Sequence, residues 1–308
     1  MAHKSKKTKT NRSLIELGKL AHRLNKERRY DEAIENYLKI LKIDPDNVYA
    51  LAGLGDSYRG LKDIDRALDV WSRYLSLRPD DYMILTRVAD GFRKKGDLET
   101  SKRYYLLALK KNRLDPYALM GLGNICMIEG LYREALQYFE RLIGTPDETV
   151  VVCTSAANIY RKQREYQRAK LLYERALEID PENSHAWHGK ADCLRGLKQY
   201  EPAIRSWKKA LKHGMNPRIC LTRIGDSYIN MKDLKKAEEN YSNALSLGYD
   251  KYAYLGMIKI HVMRNELNNA SGILSMLTER DPYDGRIADE FKRFYHRYPQ
   301  ITGTSPKM

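Results

Sequence analysis

Small residues recur along this chain at a fixed interval of 34 residues, and this period constrains the fold more than any other feature. The first row of small residues comprises Ala33, Ala67, Ser101, Ala135, Ala169, Ala203 and Ala237. A second row at the same spacing comprises Ala21, Gly55, Ala89, Gly123, Ala157, Ala191 and Gly225. Self-similarity at a period of this size is typical of a solenoid, in which each structural unit packs on its neighbours.

Each unit has the pattern of two amphipathic helices joined by a short turn. In the first unit, one apolar face at helical spacing comprises Leu17, Leu20, Ala21 and Leu24, and a second comprises Ala33, Ile34, Tyr37, Ile40 and Leu41. Asp44-Pro45 ends the unit, because proline cannot continue a helix and disfavours helix at the preceding residue. We predict repeats at residues 14–47, 48–81, 82–115, 116–149, 150–183, 184–217, 218–250 and 251–283.

The residues that fill these units resemble those of the tetratricopeptide repeat (TPR) family. Repeat five carries the family pattern as Ala157, Tyr160, Tyr166, Ala169, Tyr173, Ala176 and Pro181. Ser101 in repeat three and Ile258 in repeat eight depart from it. The resemblance implies an all-α fold, a superhelical solenoid of about eight helix–turn–helix repeats. It also implies that the first helices line a concave groove, where peptides or partner helices bind.

The two ends of the chain differ from the repeats. Residues 1–12 carry five basic residues, no acidic residue and almost no apolar residues, which predicts a disordered basic tail and no secretory signal. Residues 284–299 are predicted to form a C-terminal capping helix, because a terminal repeat exposes an unpaired apolar face. The aromatic residues of this helix could instead contact a second copy of the chain. Residues 300–308 are expected to be a frayed tail.

The sequence contains none of the motifs of common enzymes or cofactor sites. It has no P-loop, no G-x-S-x-G and no H-E-x-x-H motif, so we expect neither catalysis nor a cofactor. Gly53-Leu54-Gly55 and Gly121-Leu122-Gly123 lie within helical patterns with no strand before them, which argues against a dinucleotide site. No apolar run is long enough for a transmembrane helix, and a cytoplasmic location is expected.

Cysteine spacing and net charge add two further expectations. The four cysteines form no CxxC pair, so we interpret them as reduced packing residues rather than as disulfides or metal ligands. The net charge of +15 favours acidic partners, although lysine and arginine also solvate exposed helix faces.

Polar residues recur at the repeat positions that, by the resemblance, face the groove. An acid or amide recurs as Asp56, Asp90, Asn124, Asn158, Asp192 and Asp226. Three positions further on, arginine recurs as Arg59, Arg93, Arg161 and Arg195. Threonine recurs in the odd repeats as Thr86, Thr154 and Thr222. These residues either form ion pairs along solvated helices or bind an extended peptide, with the arginines holding its acidic groups.

Repeat six adds two histidines to this face. His185, His188 and Asp192 lie at i, i+3 and i+7 of one helix, with Trp187 predicted to be buried between them. The set lacks a firm fourth ligand for a metal, so we expect contact with a ligand or two ordinary surface histidines.

Three functions follow as hypotheses from these patterns. The first is a non-catalytic scaffold that binds an acidic peptide or partner segment in the groove. The second is RNA or acidic-polymer binding through the basic tail and surface, with an affinity that falls steeply with salt. The third is self-assembly through the terminal helices.

Overall fold

The protein is all-α. In the computed structural model, the described residues are 2–301, with side chains described from residue 13 onward, and they contain helices and no strand. The helices are α1 (Ala2–Lys26), α2 (Tyr30–Ile43), α3 (Val48–Gly60), α4 (Ile64–Leu77), α5 (Tyr82–Lys95), α6 (Leu98–Lys111), α7 (Pro116–Ile128), α8 (Tyr132–Glu140), α9 (Val150–Lys162), α10 (Tyr166–Ile179), α11 (Ser184–Gly196), α12 (Tyr200–Lys212), α13 (Pro217–Asn230), α14 (Leu234–Ser246), α15 (Lys251–Met263), α16 (Leu267–Arg280) and α17 (Gly285–Arg297). Consecutive helices pair as eight hairpins followed by one further helix, which confirms the predicted repeat fold.

The chain divides into two compact units, Met1–Glu148 and Thr149–Met308. Within each unit the helices of a hairpin pack on each other, and first helices of neighbouring repeats also contact, as α5 contacts α7 and α9 contacts α11. No helix among the described residues is both long enough and apolar enough to cross a membrane.

The two rows of small residues lie where the helices of a hairpin approach each other. Ala33, Ala67, Ala135, Ala169 and Ala203 are all fully buried. Ser101, which replaces alanine in repeat three, is also fully buried, and its hydroxyl donates to the carbonyl of Ala89 at 2.7 Å. Serine is tolerated at this position because its hydroxyl finds a hydrogen-bond acceptor.

Large aromatic side chains fill the space between these close contacts. One buried aromatic residue stands at the same second-helix position of each of the first seven repeats, and tyrosine alternates there with tryptophan or phenylalanine. The row is Tyr37, Trp71, Tyr105, Phe139, Tyr173, Trp207 and Tyr241. The aromatic rings therefore supply much of the apolar area that each repeat buries.

Caps and turns fix where the helices begin and end. From α3 onward, each first helix follows an Asn, Asp or Thr whose side chain accepts a backbone N–H. One residue between the two helices of each hairpin has the left-handed conformation. These residues are Arg28, Lys62, Gly96, Gly130, Arg164, Lys198, Lys232 and Asn265. The left-handed residue ends the first helix and lets the chain turn into the second.

Gly96 offers a direct test of this turn. Its φ is 84° and a Cβ there would contact nothing within 4 Å, so substitution acts on backbone conformation alone. We expect Gly96→Ala to lower the free energy of unfolding by about 1 kcal/mol. Gly272→Ala in α16 is the control, because that exposed glycine has helical backbone, and we expect a gain of about 0.5–1 kcal/mol. Urea unfolding measures the free energy of unfolding of both variants. Equal changes for Gly96→Ala and Gly272→Ala would contradict a special requirement for glycine at the turn.

The ends of the chain agree only in part with the sequence predictions. The backbone of α1 is helical from Ala2, which differs from the disorder predicted over residues 1–12. Extending an existing helix needs no new nucleus, and this explains how a polar segment continues α1. The side chains of residues 1–12 lie outside the described part of the chain, so any binding role of the basic tail stays a prediction.

The C-terminal helix α17 covers the last repeat as expected. Ile287 and Phe294 are buried against α16, in a cluster that also contains Phe291, Tyr295 and Tyr298. Docking of a second copy on this helix stays a prediction. Of the predicted frayed tail, residues 302–308 lie outside the described residues.

Candidate functional site

In the first unit, the side chains at the predicted groove positions of α3 and α5 form linked ion pairs; the surface that these first-helix positions line in each unit is called the groove face below. Asp56 is bridged by Arg59 on its own helix and by Arg87 on α5, with N–O distances of 3.1 Å for both. Burial raises the pKa of Asp56, although both arginines oppose this shift. Asp90 lies 2.6 Å from Arg93 and 3.0 Å from Lys94. Burial also acts to raise the pKa of Asp90, but hydrogen bonds from its two partners outweigh it and lower the pKa.

A cavity of about 580 Å³ lies on this face between α5 and α7. Its apolar lining comprises Tyr82, Met83, Tyr117 and Met120, and its charged lining includes Arg59, Arg87 and Arg93. Met83 is 53% exposed and Tyr117 is 67% exposed, so apolar surface is available for contact. Asn124 lines the same cavity. The cavity therefore places guanidinium groups beside exposed apolar side chains.

The buried ring of Tyr105 also lines this cavity. A Cβ on Gly121 would lie 2.3 Å from Cζ of Tyr105, so only glycine lets α7 pass so close to the ring. Burial raises the pKa of Tyr105 to about 12, and its hydroxyl is hydrogen-bonded to Arg93. Because the hydroxyl keeps its proton at neutral pH, it can take part in hydrogen bonding at this face.

In the second unit, the residues at the same predicted positions of α9 and α11 form a denser network. Arg161 donates to Asp192 at 3.0 Å, to Asn158 at 3.3 Å and to the hydroxyl of Tyr173 at 3.2 Å. The Tyr173 hydroxyl donates in turn to Asn158 at 2.7 Å, and burial raises the pKa of Tyr173 to about 12. Arg161 is thus held by three side chains on three helices.

Asp192 is only 7% exposed, and basic side chains lie close to it. Besides Arg161, Arg195 lies 3.7 Å away and Nδ1 of His188 lies 4.0 Å away. Burial lowers the pKa of His188, and Asp192 opposes this shift without reversing it. Among the described residues, Nε2 of His188, Oδ1 of Asp192 and Nε of Arg195 are buried without a hydrogen-bond partner.

A second cavity, of about 410 Å³, lies on the groove face of the second unit. Its lining includes Val151, Asn158, Arg161, His185 and His188. The two histidines therefore lie together at one cavity, as a ligand contact would require. Among the described residues, no group of three or more His, Cys, Asp or Glu side chains is placed to hold a metal ion.

The three predicted threonines are engaged within the protein. The Thr86 hydroxyl is buried and donates to Asp115 at 2.6 Å, and Asp115 also caps α7. Thr222 donates to Asp250, the cap of α15, at 2.9 Å. Thr154 instead donates to the carbonyl of Val150 within its own helix at 2.8 Å. Thr86 and Thr222 therefore join one repeat to the cap of the next, which favours a structural role.

Asp226 completes the predicted set and resembles Asn158 in its contacts. It accepts a hydrogen bond from the hydroxyl of Tyr241 at 2.8 Å and lies 3.6 Å from Arg223. Burial raises the pKa of Tyr241. The tyrosine hydroxyls and the arginines Arg87 and Arg223 were absent from the predicted site. The signal for the tyrosines is their 68-residue spacing, since Tyr37, Tyr105, Tyr173 and Tyr241 alternate with larger or less polar rings.

Comparisons with known proteins place this architecture in context. Family models described as tetratricopeptide repeat or TPR repeat match residues 21–62, 88–148, 160–219 and 220–247, together more than half of the chain. A TPR repeat-containing protein of Methanocaldococcus jannaschii is 25% identical over 292 residues, which cover 88% of this chain and 51% of that protein. The 43 kDa receptor-associated protein of the synapse of Gallus gallus is 24% identical over 44% of this chain and 38% of its own length. The chain thus spans about half the length, or less, of these curated relatives.

Solved structures share the fold at low sequence identity. The C-terminal part of a TPR repeat-containing protein from Cytophaga hutchinsonii aligns with a TM-score of 0.64 and 21% identity, covering 78% of this chain and 98% of that one. YrrB, described as a TPR protein with an unusual peptide-binding site, aligns with a TM-score of 0.56 and 18% identity, covering 59% of this chain and 95% of its own. At these identities the likeness is one of fold.

Proposed function

The chain belongs to the tetratricopeptide repeat family, and from this premise we propose that it is a non-catalytic scaffold that binds an acidic segment of another protein on its groove face. Proteins of this family generally mediate protein–protein interactions. The observation that carries the proposal is the cavity between α5 and α7, where Arg59, Arg87 and Arg93 stand beside exposed apolar side chains.

The arginines at this cavity keep donors available for a ligand. Arg59, Arg87 and Arg93 are 40%, 31% and 32% exposed, and each is held by an aspartate. A guanidinium carries five N–H donors, and one aspartate engages at most two of them in a bidentate pair. The remaining donors are suited to the carboxylates of a bound segment, while Met83 and Tyr117 contact its apolar side chains.

The second unit supports the same function with less free donor capacity. Its Arg161 is already bonded to Asp192, Asn158 and Tyr173, so the network there holds its shape before any ligand arrives. Preorganised donors cost less entropy on binding than mobile ones. We propose that the first-unit cavity contributes most of the recognition of acidic groups, and that His185 and His188 contact the ligand at the second.

A double substitution tests the proposal with little expected damage to the fold. In the variant Arg87→Gln/Arg93→Gln, Asp56 keeps Arg59 and Asp90 keeps Lys94, so neither carboxylate loses every cationic partner. We expect protein partners captured from nuclease-treated native lysate to fall at least about tenfold, the effect of losing about 1.4 kcal/mol of binding free energy. The helical circular-dichroism signal should be unchanged.

The matched control removes equal charge elsewhere. Lys39→Gln/Lys208→Gln neutralises two exposed lysines on α2 and α12, and capture should survive it. Equal capture by the wild type and the groove variant would exclude the groove face as the binding site. RNA binding stays a prediction, and capture that disappears with nuclease or on deleting residues 1–12 would favour it.

The proposed cytoplasmic location has one structural support. All four cysteines are buried, and none of them forms a disulfide bond. Burial raises the pKa of Cys193 to about 12 and that of Cys220 to about 11, so both are protonated thiols at neutral pH. Such cysteines suit a reducing compartment.

A further inference from the structure

A second cleft of the first unit lies on the side of the second helices, away from the residues of the groove face. It has a volume of about 800 Å³, and its lining comes from α6, from α8 and from the residues directly after these helices. Helix α8 has nine residues, whereas the other second helices have 13 or 14. The cleft therefore lies beside the shortest of the second helices.

The cleft contains leucines at positions that are polar in most other repeats. Leu106 is 41% exposed and Leu107 is 37% exposed, while Leu109 beneath them is nearly buried. The residues equivalent to Leu107 in the first seven repeats, at 34-residue spacing, are Lys39, Arg73, Arg141, Arg175, Lys209 and Asn243. Leu107 is thus the one apolar residue in that row.

Packing within the protein does not account for Leu107. Arg73, its equivalent in repeat two, donates to the carbonyl of Pro45 in the preceding repeat at 2.5 Å. Arg141, its equivalent in repeat four, donates likewise to the carbonyl of Arg113. A leucine cannot make this bond between repeats, so repeat three gives up a structural contact and exposes apolar surface instead. Such an exchange is typical of a binding surface.

The rim of the cleft is strongly basic. Lys102, Arg103, Lys110, Arg113 and Arg141 line it, and Glu99 is the one acidic residue of the lining. Lys102 is paired with Glu129 at 3.2 Å. Within the described part of the chain, the side chains of Arg103, Lys110 and Arg113 form no ion pair with an acidic residue. A ligand for this cleft must therefore be apolar at its centre and negatively charged at its edges.

We propose that this cleft binds an acidic amphipathic helix of a partner protein. Leucines at i, i+3, i+4 and i+7 of such a helix would cover Leu106 and Leu107, and flanking glutamates would reach the basic rim. The cleft is independent of the groove face and would allow a second partner to bind.

The test uses a fluorescein-labelled peptide of about 18 residues, roughly five helical turns, with leucines on one face and glutamates elsewhere. Fluorescence polarisation should show saturable binding to the full chain, with a dissociation constant below about 100 µM. A peptide of identical composition, scrambled so that the leucines share no face, should bind at least about tenfold more weakly. No binding of the first peptide, or equal binding of both, would overturn the proposal.

The decisive variant is Leu106→Glu/Leu107→Arg. It gives repeat three the residues that repeat four carries as Glu140 and Arg141, so the fold has a precedent for both. Affinity should fall at least about tenfold, with no loss of thermal stability. The groove variant Arg87→Gln/Arg93→Gln should bind the peptide like wild type. If the groove variant lost binding while Leu106→Glu/Leu107→Arg kept it, the peptide would bind on the groove face and the cleft proposal would be refuted.

Two further experiments test the basic rim of the cleft and the alternative that the cleft binds a membrane. Lys110→Glu/Arg113→Glu should weaken binding of the acidic peptide and strengthen binding of the same peptide with lysine in place of glutamate. Vesicles of phosphatidylserine and phosphatidylcholine should not compete with the acidic peptide. Competition by these vesicles that Leu106→Glu/Leu107→Arg abolishes would show a lipid-binding cleft, contrary to the proposal.

Discussion

Replacing Trp207 with alanine is expected to lower the free energy of unfolding of the second unit by about 3–5 kcal/mol. Trp207 is fully buried, in a cluster with Ala191, Leu194, Ile204 and Ile224. The substitution removes the ring and leaves a cavity that the helical backbones cannot close. Urea unfolding followed by circular dichroism at 222 nm would measure the shift of the midpoint.

Trp187→Ala is the matched control within the same unit. This ring is half-buried; Lys209 lies 4.6 Å from its centroid, and its Nε1 donates to the carbonyl of Pro181 at 2.8 Å. We expect a loss of only about 1 kcal/mol, because little cavity forms at the surface. Equal losses for the two tryptophans would contradict the burial that separates them.

Replacing Arg161 with methionine is expected to destabilise the second unit by about 2–3 kcal/mol. Methionine keeps much of the aliphatic volume but leaves the buried carboxylate of Asp192 without its partner at 3.0 Å. The loss should fall below that of a fully buried pair, because Arg195 remains 3.7 Å from Asp192 and Arg161 is one-third exposed. Thermal and urea unfolding at neutral pH would measure it.

A double-mutant cycle identifies the cause. Asp192→Asn in the Arg161→Met background removes the unpaired charge, so we expect it to restore at least about 1 kcal/mol. Additive losses from the two substitutions would show that Arg161 and Asp192 are not coupled. Arg161 would then be an ordinary solvated residue of its helix, which is the first of the two alternatives that the sequence offered for these positions.

The sequence predicted the repeat fold because its period is a physical requirement of the packing. A bulky residue at Ala33, Ala67 or Ala203 would push two helices apart, so only small residues fit, and their spacing reveals the repeat length. The C-terminal helix was predictable for a similar reason, since Ile287 and Phe294 cover an apolar end. Trp187 was predicted wrongly, because apolar character alone does not show which side chains are fully enclosed.

The candidate site was predictable only as a row of residues. The sequence placed Asp56 and Asp192 on one face, yet each also has an arginine partner on a neighbouring first helix. Arg87 reaches Asp56 from the next repeat, and Tyr173 reaches Asn158 from the second helix of the same hairpin. Thr86 lines the first-unit cavity, but its hydroxyl is engaged by Asp115 at the start of α7. Such contacts depend on side-chain direction and on packing angle, which residue spacing does not specify.

By itself, the sequence determined that the chain is an array of helical hairpins, and it assigned each residue a place within its repeat. Local propensity and the spacing of small residues decide those features, and both can be seen in the chain without coordinates. Tertiary structure alone decided which arginines stay partly exposed, how deeply Asp192 is buried and where a cleft lies between Leu107 and the short helix α8. These depend on distances between helices, because burial and ion pairing arise only when separate elements pack together.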